Sequence, residues 1–183
     1  MSLPETGPSL RRYFVNTMFD ACFVILGIII GSALSPHANT QLVLTTILTS
    51  SVALAISTGS SVYEAERLEQ DRRMDEISRA MLSRVHDTNL GKSSRASIIL
   101  IAVVNSLAPL LAGAVALTPF LMMSSGSIVE AAEIGIGLVI ALLFITGFIM
   151  GRLSDRNPWI KGSRMAVIGL VAFFICYLIG GAV

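Results

Sequence analysis

The stretch Thr45-Thr-Ile-Leu-Thr-Ser-Ser-Val-Ala-Leu-Ala-Ile-Ser-Thr-Gly-Ser-Ser-Val-Tyr-Glu-Ala-Glu-Arg-Leu-Glu69 decides how the whole chain is read. Its first half is apolar or weakly polar and long enough to cross a bilayer, which takes about 20 residues. Its second half carries Glu64, Glu66 and Glu69 directly out of that segment. No proline separates the two halves, and Gly59 is the one glycine between them. A helix that leaves a membrane displaying carboxylates is either an interfacial anchor or a collector of cations. Both readings require an integral membrane protein.

The rest of the composition agrees. The chain has 183 residues, 54% of them hydrophobic and 14% charged, with a mean hydropathy of +0.76. These values exclude an ordinary soluble domain. Working outward from residue 45, five stretches are long and apolar enough to span, at roughly 14–35, 41–63, 96–123, 128–151 and 163–182. The expected class is therefore all-α, a single five-span transmembrane domain over residues 1–183. The 13 Lys and Arg fall at Arg11 and Arg12, between Arg67 and Arg95, and between Arg152 and Arg164. With five spans these segments share one face, and the positive-inside rule makes that face cytoplasmic. The N-terminus and the 64–95 segment then lie inside and the C-terminus outside. The near-zero net charge gives no reason to expect nucleic acid.

Between spans two and three, Met74, Ile77, Met81, Leu82 and Val85 recur on one helical face among charged residues. This predicts a short amphipathic cytoplasmic helix over 70–86, suited to a headgroup surface or a partner. Met1–Pro8 is polar, contains prolines and reads as mobile. Pro109 and Pro119 fall inside span three and predict a bend or break there. Gly27–Gly31 and Gly147–Gly151 are GxxxG pairs, a spacing that admits close helix approach. Ser127 followed by Glu130 has the spacing of a capping box, which makes Glu130 structural. Cys22 and Cys176 lie in separate spans and read as small apolar side chains.

No nucleophile elbow, phosphate loop or His/Cys cluster is present, and the only histidines are His37 and His86, so no enzyme is expected. The chemistry sits in the membrane. Asp20 is the one acid well inside a span, where a charge costs at least a few kcal/mol, and no span carries a Lys or Arg at comparable depth to neutralise it, Arg164 standing at the very start of span five. Its counter-charge is then a proton, a cation, or an arginine such as Arg12 reaching from the interface. Span two offers hydroxyls, among them Thr58 and Ser61, for packing, back-bonding or a polar path. Asn105, beside Pro109, is a polar group that must find a partner. Glu64, Glu66 and Glu69 offer oxygen ligands at the mouth, although Glu69 and Arg73 are also spaced as an ion pair.

With these residues placed, the chain resembles the vacuolar iron transporter family, including its archaeal and bacterial members. The likeness is carried by Ala53-Leu-Ala-Ile-Ser-Thr-Gly-Ser-Ser-Val-Tyr-Glu-Ala-Glu66, by Leu107–Phe120, by Phe144–Ser154, and by Asp20 at the position of the family's span-one acid. The resemblance implies a homodimer in a prokaryotic cell membrane that exports Fe²⁺ or Mn²⁺ in exchange for protons. The ion is cargo, with no tightly held cofactor expected. Asp20, Thr58, Ser61 and Asn105 would serve the path, and Glu64, Glu66 and Glu69 its antechamber.

The chain also departs from the family. Thr58 stands at the pore methionine position, Ala21 follows the acid where the family has glycine, and the long cytoplasmic metal-collecting domain has no counterpart in residues 64–95. These departures remove the soft sulfur ligand and the carboxylate cage. The alternative is a non-transporting interaction or scaffold protein that uses the 70–86 helix.

Overall fold

The computed structural model describes residues 6–33, 38–81, 89–122, 127–154 and 157–180. They form five α-helices: α1 (Thr6–Ala33), α2 (Thr40–Met81), α3 (Asn89–Met122), α4 (Ile128–Leu153) and α5 (Pro158–Gly180). Each is long and apolar enough to span a membrane. Among the described residues, three of them open on a side-chain cap. Asn39 Oδ1 accepts from Gln41 N at 2.9 Å, Ser127 Oγ from Glu130 N at 3.2 Å, and Asn157 Oδ1 from Trp159 N at 3.3 Å. Such caps satisfy amides that a helix leaves without partners. The Ser127 contact is the one its spacing predicts.

α1 is the central post and packs against all four other helices. Met18, Ala21, Cys22, Ile25, Leu26 and Ile29 form its buried stripe at the 3.6-residue period. Against it lie Ala108, Ala112, Ala116 and Phe120 of α3 and Ala131, Ala132, Val139 and Leu143 of α4. α2 pairs most extensively with α3, and α4 with α5. Both pairs close through small residues, because helices in lipid gain from backbone approach rather than from hiding apolar surface. A Cβ on Gly113 would collide with Ser51, and one on Gly59 would lie 2.9 Å from Ser106 Oγ. In the other pair, a Cβ on Gly147 would lie 2.9 Å from the Lys161 carbonyl oxygen and 3.0 Å from Gly162 Cα. α5 buries only Gly162 and Gly169 and turns Val167, Val171, Phe174, Leu178 and Ile179 outward. That surface suits hydrocarbon and not water.

Four expectations change. The segment after Glu69 is no separate helix, since α2 continues through it without interruption. At about 1.5 Å per residue its 42 residues extend roughly 63 Å, about twice the hydrocarbon thickness. Along the extension Met74 is buried and Gln70 and Ser78 are half-buried, while Arg72, Arg73, Asp75, Glu76 and Arg79 are exposed. Of the expected apolar face only Met74 is described, because the side chains of Ile77 and Met81, and residues Leu82 and Val85, lie outside the described set. α3 contains Pro109 and Pro119 yet is unbroken. α5 begins at Pro158, ahead of the start expected near residue 163, so Trp159, Ile160 and Lys161 belong to its first turn. α1 begins at Thr6, so Pro8 falls in its first turn, where the ring costs no internal hydrogen bond.

Gly147→Ala should force α4 and α5 apart and destabilise the detergent-solubilised protein by about 1–3 kcal/mol in thermal unfolding. Gly137→Ala, whose new Cβ meets nothing within 4 Å, should leave the midpoint unchanged or raise it.

Candidate functional site

Asp20 is exposed on the surface of the protomer. It lies on an outward stripe of α1 with Asn16, Val24, Gly27 and Gly31, residues that the helical period stacks on one side. Asn16 Nδ2 donates to Asp20 Oδ2 at 3.4 Å, a long and exposed contact. Arg12 lies over the Tyr13 ring, 5.3 Å from its centre, and makes no ion pair with Asp20. A Cβ on Gly27 or Gly31 would meet nothing within 4 Å. The two GxxxG pairs therefore differ. Gly147–Gly151 is filled by α5, whereas Gly27–Gly31 lies open beside the acid.

The hydroxyls of α2 have a local use. Thr45, Thr46, Thr49, Ser51, Thr58 and Ser61 each donate to the carbonyl four residues earlier, at 2.7–2.8 Å. Their protons are thus committed to the helix, and their oxygen lone pairs remain available as acceptors. Thr58 is half-buried and Ser61 exposed. The contacts of Gly59 with Ser106 and Gly113 with Ser51 fix the antiparallel register of α2 on α3. That register sets Asn105 at about the depth of Thr58 and Ser61.

Asn105 is 1% exposed, and neither its Oδ1 nor its Nδ2 has a hydrogen-bond partner. Its backbone adds to the deficit. Pro109, four residues on, has no N–H to return to the Asn105 carbonyl. Pro119 leaves the Val115 carbonyl in the same position, but there Thr118 Oγ1 donates to it at 2.7 Å. The residue matching Thr118 before Pro109 is Ala108, which has no hydroxyl. One proline site is repaired locally and the other is not, although polar groups buried in hydrocarbon are normally satisfied.

The three glutamates do not form a cage within one chain. Glu69 Oε1 accepts from Arg73 Nε at 3.1 Å, with both side chains about half exposed. Glu64 borders a groove of about 480 Å³ between α2 and α3, beside Gly59, Ser60, Tyr63 and Ser106. Glu66 is half-buried on the neighbouring face. Among the described residues, no three of His, Cys, Asp and Glu converge as metal ligands. Asn16 was not anticipated from the sequence, although a polar residue four before a membrane acid is a readable signal.

Residues 72–181 match the sequence profile of the VIT family. The chain belongs to that family. It is also similar to an uncharacterized protein of Methanocaldococcus jannaschii, 24% identical over 176 residues that cover 94% of this chain and 90% of the relative. The matched region of this VIT-family chain includes Leu107–Phe120 and Phe144–Ser154. It leaves out Asp20 and Ala53–Glu66, which also carry the resemblance read from the sequence. VIT-family members are transporters rather than enzymes, and membership points to metal-ion transport across a membrane. Five spanning helices make this a multi-pass membrane protein, and the archaeal relative is consistent with a prokaryotic origin.

Asn105→Leu removes the unpartnered amide at similar volume. It should raise the thermal midpoint, by about 1–3 kcal/mol of relieved desolvation, while lowering any transport that depends on a polar group at that depth. A lowered midpoint would show that the amide is satisfied in the membrane.

Proposed function

We propose that this protein exports a divalent transition metal, Fe²⁺ or Mn²⁺, from the cytoplasm in exchange for protons, acting as a homodimer across the open face of α1. The observation that carries this reading is Asp20 itself. An ionisable acid on an outward membrane face costs a few kcal/mol if it meets lipid, and the adjacent Gly27 and Gly31 leave room for a second helix. A second copy related by a twofold axis covers the face isologously and brings two Asp20 carboxylates to one seam. Such a pair binds a divalent cation when ionised and releases it when protonated, which is the exchange required. Thr58 and Ser61 contribute hydroxyl oxygens to the path, and Asn105 contributes an amide oxygen from α3. Glu64, Glu66 and Glu69 gather cations at the basic end of the bundle, which the positive-inside rule makes cytoplasmic. With threonine at position 58 the ligands are oxygens, a set that suits Mn²⁺ and Fe²⁺ better than soft, thiophilic ions.

Two measurements test this. Purified protein in liposomes should move Mn²⁺ or Fe²⁺ with counterflow of protons, and Asp20→Ala should reduce the flux to that of empty vesicles. Unchanged flux in Asp20→Ala would remove the acid from the mechanism. Absence of flux for every divalent ion in the wild type would favour the interaction protein built on the α2 extension. Separately, Gly27→Leu with Gly31→Leu should shift the protein from dimer to monomer in light scattering. A dimer that survives both substitutions would place the seam elsewhere.

A further inference from the structure

A second polar feature borders the acidic stripe, sharing Asn16 with it. Between the start of α1, the end of α4 and the start of α5 lies a groove of about 640 Å³. Arg12 borders it from α1, and Lys161 and Arg164 from α5. None of the three makes an ion pair with a described carboxylate. Tyr13 and Asn16 add neutral hydrogen-bonding groups on the same wall, and Phe19, Met150, Met165 and Ile168 continue it as an apolar surface. We infer that this groove is a binding site for an anionic glycerophospholipid, its phosphate among Arg12, Lys161 and Arg164 and an acyl chain along Phe19, Met165 and Ile168.

Three considerations favour a lipid over a soluble anion or a peptide. All the lining residues belong to membrane-spanning helices, so the occupant reaches them from the bilayer. The depth is that of headgroups, because Trp159, two residues before Lys161, is exposed and packs its ring 5.3 Å from Phe148 and 6.1 Å from Phe144. Aromatic belts of this kind lie at the membrane–water interface. Finally, cations without an ion-pair partner among the described residues, set above an apolar wall, complement a phosphate attached to a hydrocarbon chain, and basic pockets between spans are a recurrent way of holding anionic headgroups. Asn16 both borders the groove and donates to Asp20, so a bound headgroup lies beside the proposed path without belonging to it.

The site is tested on the purified full chain by native mass spectrometry, with lipid added to the micelles and no transport assay involved. Phosphatidylglycerol should be retained over phosphatidylcholine by up to about a hundredfold, with about fivefold lost for each cation removed. Arg12→Gln, Lys161→Gln and Arg164→Gln together should abolish the preference. Arg72→Gln with Arg79→Gln, which removes exposed charge from the α2 extension, should preserve it. Single substitutions at positions 12, 161 and 164 give a graded series if the triple variant does not fold. Equal retention of the two lipids by the wild type overturns the proposal, as does a preference that survives the substitutions. Glycerol phosphate competing as strongly as the intact lipid would make this a free-phosphate site and would equally overturn it.

Discussion

Hydrocarbon offers the backbone no hydrogen-bonding partner, and this constraint shapes every element of the structure. It explains why five helices run unbroken through their spans and why the α2 hydroxyls turn back onto their own helix. It also explains the contrast between the two prolines of α3. At Pro119 the freed carbonyl of Val115 takes a hydrogen bond from Thr118. At Pro109 the freed carbonyl belongs to Asn105, whose side chain is itself unpartnered. A fold governed by that constraint should keep few such deficits, so the one at Asn105 stands out within the described bundle.

The span count and the Ser127 cap were legible in the sequence because both rest on local signals, a run of apolar residues and a three-residue spacing. The continuity of α3 was not. A proline states what it removes, and whether a neighbour supplies a replacement depends on a single side chain such as Thr118. The boundary expected at Glu69 follows polarity, which changes there, whereas the helicity of α2 does not. Two identical GxxxG spacings had opposite fates, filled at Gly147 and open at Gly27. Only the tertiary arrangement distinguishes them, since each looks the same along the chain.

The candidate site was legible by residue and not by direction. Asp20 was readable as costly, and the structure adds that its cost is not relieved inside one protomer. The glutamates after residue 63 were readable as acidic, and the structure separates them, with Glu69 held by Arg73 and Glu64 turned to a groove. The membrane part therefore carries more of the functional argument than the acidic exit of α2. It does so through an exposed acid held only by a long hydrogen bond from Asn16 and a buried amide that has no partner.

The length of α2 has a mechanical consequence. From Thr40 to Met81 it is one stiff rod, held across its middle by the contacts of Ser51 with Gly113 and of Gly59 with Ser106. It is also gripped towards both ends, with Val43 and Ile47 in the buried core and Met74 buried beyond Glu69. A rod gripped at several depths behaves as a spine. The charged extension therefore keeps a fixed bearing relative to the hydroxyls around Thr58.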